Sequence, residues 1–397
     1  MTASTVIPLF IRGQDYAPEK SFDIKSPATG KVLHKSAGAS VDDAAKAVDA
    51  AAEALTSWRR TTPQERQDIL LKAGDIMSRR RDELATYMVG ETGCASDWAD
   101  FNLDNSIAML KDVGGRVPTL ASSFPAMANS NRSAIVLREP YGVVLSIAAC
   151  RHQKINFIGS AAVGRIIAKQ AAEHLKPIVL ELGGKAPAIV WEDADLDLAA
   201  QQCALGSFIH GGQICMCTEK ILVHEAIKDT FRQKLAAAVA AIVLINSAAA
   251  HKNKQLVADA TEPGATILHG DVAAHESSTT RMRPIVVDNV TADMDIYKTE
   301  SFGPTVSVLD IESEEEAIRI ANDTECGLAA SVFTQDLRRG LRLAEAIETG
   351  AVHINSMTVH DESALPHGGA KSSGYGRFNA SLGLEEWTRT KNVTFDR

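Results

Sequence analysis

The stretch "GVVLSIAACRHQKINFIGSAAVG", Gly142 to Gly164, constrains the fold more than any other part of the chain. Val143 to Ala149 is an apolar run of strand length rich in β-branched residues, and Ile155 to Ile158 is a second, ending at a Gly-Ser turn. Only five residues, Cys150 to Lys154, separate them. Neighbouring strands of a parallel sheet need a crossover of roughly a dozen residues or more, usually through a helix. Either the chain folds unusually here or a connection is missing.

The flanking pattern makes a parallel sheet the expectation. After the extended stretch "SAIVLREPYGVVLSI", strands and helices alternate: Ile155 to Ile158, a helix over Val163 to His174, then "PIVLEL" at Pro177 to Leu182. Such alternation predicts an α/β protein with largely parallel sheets. The first third is helical after a short β-like entry. Ser40 can cap a helix running to about Trp58, and Thr62, Pro63 and Glu65 supply the N-cap, first-turn proline and capping-box acid of the next. These helices carry no chemistry of their own.

At 397 residues with 45% hydrophobic content the chain can bury two cores, so two domains are expected. A net charge of −9 argues against a nucleic-acid or anionic-membrane partner, and the basic run "RRRDE" from Arg79 reads as a solvated helix face. The apolar run Val6 to Ile11 is broken by Pro8 and has no basic residue before it. No signal peptide is therefore read there, and a cytoplasmic location is the simplest expectation. The longest apolar run, "LAAAVAAIVLI" from Leu235, is too short to span a membrane and suits a helix running into a strand. Six scattered cysteines, Cys94, Cys150, Cys203, Cys215, Cys217 and Cys326, read as free thiols rather than a disulfide framework.

Two segments carry candidate chemistry, "VLELGGKAPAIV" around Glu181 and "FIHGGQICMCTEK" around Cys215. The first places a carboxylate at the end of an apolar strand, where desolvation would raise its pKa towards that of a general base. The second places thiols after a Gly-Gly turn, where backbone N–H groups can face an oxyanion or a thiolate. A base and a soft nucleophile together describe covalent catalysis. By themselves a strand-end Glu and a core Cys fit these residues as well, and Cys215-x-Cys217 could form half of a metal site. No partner pair at ligand spacing accompanies it, so no metal is expected.

Taken together, these segments resemble the aldehyde dehydrogenase superfamily. The resemblance runs from "SPATGKVLHKSAGASVDDAAKAVDAA" through "INFIGSAAVG", "LELGGKAPAIVWEDADLDLAA", "GGQICMCTEK" and "ESFGPTVSV" to "NDTECGLAASVFTQD" and "LPHGGAKSSGYGR". The flavour of "GGQICMCTEK" and "VHINSMTVHDESALPHGG" is similar to the branch that oxidises aromatic aldehydes of the salicylaldehyde, vanillin and benzaldehyde type. The resemblance implies a Rossmann-type cofactor domain (1–130 and 144–181), an α/β catalytic domain (182–366), a return segment (367–385) and β oligomerisation arms (131–143 and 386–397). It further implies an aldehyde substrate, NAD or NADP as cofactor, and a homo-oligomer, dimer or tetramer.

It also implies roles. Cys215 matches the nucleophile that forms a thiohemiacetal and then a thioester, and Glu181 the base that activates the hydrolytic water. Glu300 and Phe302 match the pair that holds the nicotinamide ribose and ring. Gly159 and Ser160 match the turn that receives the pyrophosphate at a helix N-terminus. Leu182 and Gly184 lie in the turn after the base, where the backbone passes the cofactor. Trp98, Phe101, Phe208 and Met357 fall where the resemblance places substrate-tunnel walls.

The opening stretch then acquires a meaning. In this family the strand matching "GVVLSI" is followed by a Pro-Trp-Asn turn whose Asn binds the oxyanion, and by a strand whose Lys binds the cofactor ribose. With "AACRHQK" in that place, roughly 80 residues are missing after Ala149, more than two βαβ units of about 30 residues each. A second shortfall falls within "QKLAAAVAAIVLINSAAAHKNKQL". Ile158, Gly211 and Cys326 also depart from the family's usual residues. Two alternatives to an active dehydrogenase follow, a cofactor-independent thiol esterase using Cys215 and Glu181, and a non-catalytic partner of full-length relatives.

Overall fold

The computed structural model describes residues 5–146, 154–240, 245–246, 250–274 and 281–396. Its largest sheet has seven strands. In spatial order they are Thr266–His269, Ile285–Asp288, Thr305–Ile311, Thr218–His224, Ala186–Val190, Ala329–Phe333 and Ala351–Ile354. Only the first pair is antiparallel. The central strands are buried on both faces, which explains their continuous apolar sequences.

Alternate residues of those strands feed two cores on opposite faces. Ile189 and Leu222 join the core that includes Leu256 and Val257 of the helix Ala250–Thr261, Ile320 of Glu314–Asn322 and Leu343 of Leu337–Ala346. Ala188, Val190, Ile221 and Val223 join the core made with the helices Leu196–Phe208 and Lys228–Ala240.

A second sheet has four strands in the order Gly374–Tyr375, Ile178–Glu181, Lys154–Ile158 and Val144–Ser146. Its core is small, built from Ile155, Phe157, Leu180 and Leu182 against Ile167 and Ala171 of one helix, Ala161–Glu173. The two strands of the opening puzzle do pair directly and in parallel, Val144 opposite Lys154 and Ser146 opposite Asn156. Residues 147–153 between them, including Ala149 and Cys150, lie outside the described residues. The second strand starts one residue earlier than the sequence indicates, and the helix after it starts at Ala161, because Ser160 caps it by accepting from Val163 N–H.

Elsewhere the local signals hold. Ser40 and Thr62 each close a capping box, with Asp43 and Glu65, and Pro63 opens the second helix. Arg132–Pro140 and Thr388–Asp396 pair along their whole length as an antiparallel ribbon. The helix expected from Leu235 is described as Lys228–Ala240, and the rest of that run, residues 241–244, lies outside the described residues. The short strand Ile245–Asn246 pairs with Arg281–Met282. The five described cysteines are free, and no described helix is long and apolar enough to cross a membrane.

Candidate active site

The turn Leu182–Lys185 links the strand Ile178–Glu181 of the smaller sheet to Ala186–Val190 of the larger. The expected base therefore stands at the strand end that opens the junction between the sheets. Glu181 is the last residue of its strand, 5% exposed at its side chain, and one oxygen, Oε2, lies 3.0 Å from His367 Nε2. The other, Oε1, is buried without a hydrogen-bond partner.

Cys215 sits in a loop that approaches this turn closely. A Cβ on Gly184 would lie 2.3 Å from the Cys215 carbonyl oxygen, so only glycine fits there. Burial pushes the Cys215 thiol up to about 12, with the negative charges of Glu181 and Glu300 adding to it and backbone N–H groups of Cys215 and Met216 opposing. The thiol and both carboxylates thus share one electrostatic site. Cys217 is fully buried, and burial raises its thiol further, as expected of a neighbour rather than a nucleophile. The loop before Cys215 turns through positive φ at His210, Gly211 and Gly212, and a Cβ on Gly212 would strike the Gly303 carbonyl.

Glu300 is held against the same turn by Gly184 N–H, 2.9 Å from Oε1. Burial raises the Glu300 carboxyl above its usual range, against the stabilising Gly184 N–H. Phe302 adopts φ +47° and keeps 39% of its surface exposed. What fixes this strained turn is Glu219, which the sequence did not single out. Its carboxylate accepts from Ser301 N–H (2.9 Å), Ser301 Oγ–H (2.8 Å) and Phe302 N–H (3.1 Å), and pairs with Lys185 Nζ at 2.7 Å. Lys185 and Glu219 are both buried, so each supplies the counter-charge that the other needs.

The remaining expected residues divide into two groups. Gly159 and Ser160 form an exposed turn at the start of Ala161–Glu173, with Gly159 N–H bound to the Glu181 carbonyl at 3.0 Å. Leu182 is buried and donates its N–H to the Ser373 carbonyl. Trp98 stacks on Phe101 (5.4 Å between ring centres) and on His210 (5.5 Å), which brings this aromatic pair to the loop that precedes Cys215. Met357 N–H binds Gln202 Oε1 on the helix Leu196–Phe208. Phe208 is corrected: it is fully buried in the core of the larger sheet, because its helix is packed there, and offers no wall to a substrate.

The pyrophosphate and nicotinamide ends of a dinucleotide fit the residues present. The Gly159–Ser160 turn is open, the Glu300 carboxylate is oriented by a backbone N–H, and the Phe302 ring is half-exposed. His367, like Glu219, was missed as a site residue. Its signal, the His in "LPHGG", is local, whereas its contact is with a residue 186 positions earlier. No group of three or more candidate ligands that could hold a metal occurs among the described residues.

The family model "Aldehyde dehydrogenase family" matches residues 14–150 and 148–393. Vanillin dehydrogenase of Pseudomonas sp. (strain HR199 / DSM 7063) is 34% identical over 474 aligned positions, covering 98% of this chain and 97% of that protein. That alignment is longer than the 397-residue chain itself. A salicylaldehyde dehydrogenase from Pseudomonas putida G7, solved with salicylaldehyde, superposes with TM-score 0.95 at 30% identity, covering 99% of this chain and 98% of that one. A betaine aldehyde dehydrogenase from Staphylococcus aureus solved with NAD+ superposes with TM-score 0.93 at 25% identity, over 98% of this chain and 94% of that one. With the site geometry these matches agree: the chain belongs to the aldehyde dehydrogenase family.

Proposed function

We propose that this chain oxidises an aromatic aldehyde to the carboxylic acid through a covalent adduct on Cys215, with Glu181 as general base and NAD or NADP as hydride acceptor. The observation that carries the reading is the shared environment of Cys215, Glu181 and Glu300 at the joint between the sheets. Two relatives of similar sequence or fold, named for vanillin and salicylaldehyde, support the aromatic class, as does the Trp98–Phe101–His210 stack.

A thiol held near 12 is protonated at neutral pH, so addition to a carbonyl requires a base to accept its proton. Glu181 is the carboxylate with a free oxygen in reach of that field. Cys215 Sγ bonds to the aldehyde carbon to give a thiohemiacetal. Glu300 and Phe302 would hold the nicotinamide and Gly159–Ser160 the pyrophosphate, and the cofactor would supply the hydride acceptor by which that adduct becomes a thioester. Once Glu181 has passed the thiol's proton to solvent it accepts a proton from water, the resulting hydroxide adds to the thioester carbon, and the C–S bond breaks to release the acid and return a proton to the Cys215 sulfur.

The reading includes the internal gap of roughly 80 residues after Ala149, more than two βαβ units. It is supported by an alignment longer than the chain, by a family match that breaks at 148–150, and by parallel strands joined across 147–153. Loss of one oxyanion donor with that segment costs about 3 to 4 kcal/mol in the transition state, which slows an enzyme without abolishing it. A second reading, the cofactor-independent thiol esterase, is favoured by the end of the smaller sheet at Val144–Ser146.

The test is calorimetric titration with NAD and with NADP, then salicylaldehyde and vanillin turnover followed by nicotinamide absorbance. Saturable binding with turnover that vanishes in Cys215→Ala is the expected result. A folded chain that binds neither nucleotide overturns the dehydrogenase reading. Hydrolysis of a chromogenic ester that depends on Cys215 would then establish the esterase.

A further inference from the structure

The two oxygens of Glu181 have unlike surroundings. Oε2 meets His367 Nε2 at 3.0 Å, while Oε1 is buried and unpartnered. His367 is itself held by its backbone, donating N–H to the Phe378 carbonyl (2.9 Å) and accepting from Phe378 N–H (2.7 Å). The next segment of chain is anchored as well, because Ser373 Oγ donates to the Gly183 carbonyl and Gly374 pairs with Glu181. A carboxylate gripped at one oxygen by a fixed imidazole has lost the rotation that would exchange its two oxygens.

Resting on the reading above, we propose that His367 is a positioning residue for the hydrolytic base. Its Nε2–H holds Glu181 Oε2 and leaves Oε1 as the acceptor for the proton of the water that attacks the Cys215 thioester. The proton passes from water to Oε1, the hydroxide bonds to the acyl carbon, the C–S bond breaks, and the proton returns to the Cys215 sulfur.

A consequence for pH follows from the groups around the imidazole. Burial disfavours the charged form of His367, but the hydrogen bond and charge of Glu181, with the charge of Asp361, outweigh it and raise its pKa, against the opposing charge of Arg377. His353 and His360 face the same cluster, their rings 5.1 Å apart, and Asp361 is bound by Asn379 Nδ2 at 2.8 Å. The Cys215 thiol also feels the charges of Glu181 and Glu300. Deprotonation of His367 removes a positive charge from beside Glu181 Oε2. Hydrolysis should therefore rise with pH through the titration of His367, from above its ordinary value of about 6.5.

Three variants test this. His367→Gln keeps an N–H donor that does not titrate, so thioester hydrolysis should stay within about threefold while its limb in the pH profile disappears. His367→Phe removes the donor, and kcat should fall about tenfold or more while the first-turnover burst of reduced nicotinamide persists. In the ring NMR spectrum of the unaltered chain, the His367 signal should titrate at higher pH than in Glu181→Gln. An unchanged pH limb in His367→Gln, or a His367 titration indifferent to Glu181→Gln, overturns the proposal. A chain that turns over no aldehyde fails the functional reading instead, and the NMR titration still decides the clamp.

Discussion

The seven-stranded and four-stranded sheets meet at Leu182–Lys185 but are stabilised very differently. The larger sheet is covered by helices on both faces, and its strands send alternate side chains into two extensive cores. Among the described residues the smaller has one helix on one face, six residues in its buried core, and Val144–Ser146 as its outer strand. A buried lysine with a carboxylate partner also stands on each side of the joint. On the side of the larger sheet, Lys185 of the linking turn and Glu219 are both inside and hold the Glu300–Phe302 turn. In the smaller, Lys154 is buried and reaches out to Glu386, whose side chain is 33% exposed. The proposed nucleophile, Cys215, thus lies beside a thick core, and the proposed base, Glu181, on a thin one tied to the C-terminal segment. Local opening should begin on the side of the base.

The largest expected effect comes from the thick core. Phe231 is fully buried among helix and strand residues, so Phe231→Ala should cost about 3–5 kcal/mol in urea unfolding. Ile167→Ala, in the smaller core, should cost less, about 2 kcal/mol, since that site can collapse. If the smaller sheet opens first, Ile167→Ala should also speed amide exchange at Lys154–Ile158 and leave Ile221–Val223 unaffected. Equal acceleration at both strands would mean that the two sheets unfold as one unit.

The charge pair provides the next test. Glu386→Gln leaves the Lys154 ammonium with the Glu386 carbonyl and the Tyr141 ring, 5.0 Å from Nζ, as its remaining partners. The half-exposed position of Glu386 lets water compensate in part, so a loss of about 1–3 kcal/mol is expected. Chemical denaturation measures it, and a loss below about 0.5 kcal/mol would show that the smaller sheet does not depend on this tie.

Two glycines sharpen the comparison further. At Gly184 the new methyl group would meet the Cys215 carbonyl at 2.3 Å, a backbone atom that cannot swing aside, so Gly184→Ala should displace the Cys215 loop and cost about 1–3 kcal/mol as well as activity. At Gly164 the obstacle is the far end of the Leu182 side chain, 2.7 Å away, and the helix gains about 1 kcal/mol from losing a glycine. Gly164→Ala should therefore leave the melting temperature within a few degrees of the unaltered chain. The two melting curves, with turnover of each variant, give the outcome.

Much of this was legible in sequence for a physical reason. Capping boxes at Ser40 and Thr62, the apolar run before Glu181 and the Gly-Gly turn before Cys215 are local patterns, and local hydrogen bonds or burial decide them. Glu219 and His367 act across 82 and 186 positions of chain, and nothing in "CTEK" or "LPHGG" says which strand will lie opposite. Phe208 failed for the converse reason. An aromatic before a glycine turn fits a tunnel wall or a core equally well, and only the packing of its helix on the large sheet decides. The close pairing of Val144–Ser146 with Lys154–Ile158 was legible as a conflict in the sequence and persists as direct parallel pairing in the structure.

A pH dependence is expected at the far edge of the large sheet. His353 lies on its last strand, with Nε2 buried and unpartnered. Burial first, then the charges of His360 and His367, lower its pKa from 6.5 to about 4. The unfolded chain therefore binds this proton before the folded chain does. The contribution of neutral His353 to stability is complete above 6.5 and is lost as pH falls towards 4. His367 has the opposite sign, since its raised value makes its contribution complete below the unfolded value and lost as pH rises through the folded one. His353→Gln should flatten the acid side of a urea-midpoint profile, and His367→Gln the neutral side. If the acid side is unchanged in His353→Gln, carboxylates rather than this histidine set the acid lability of the large sheet.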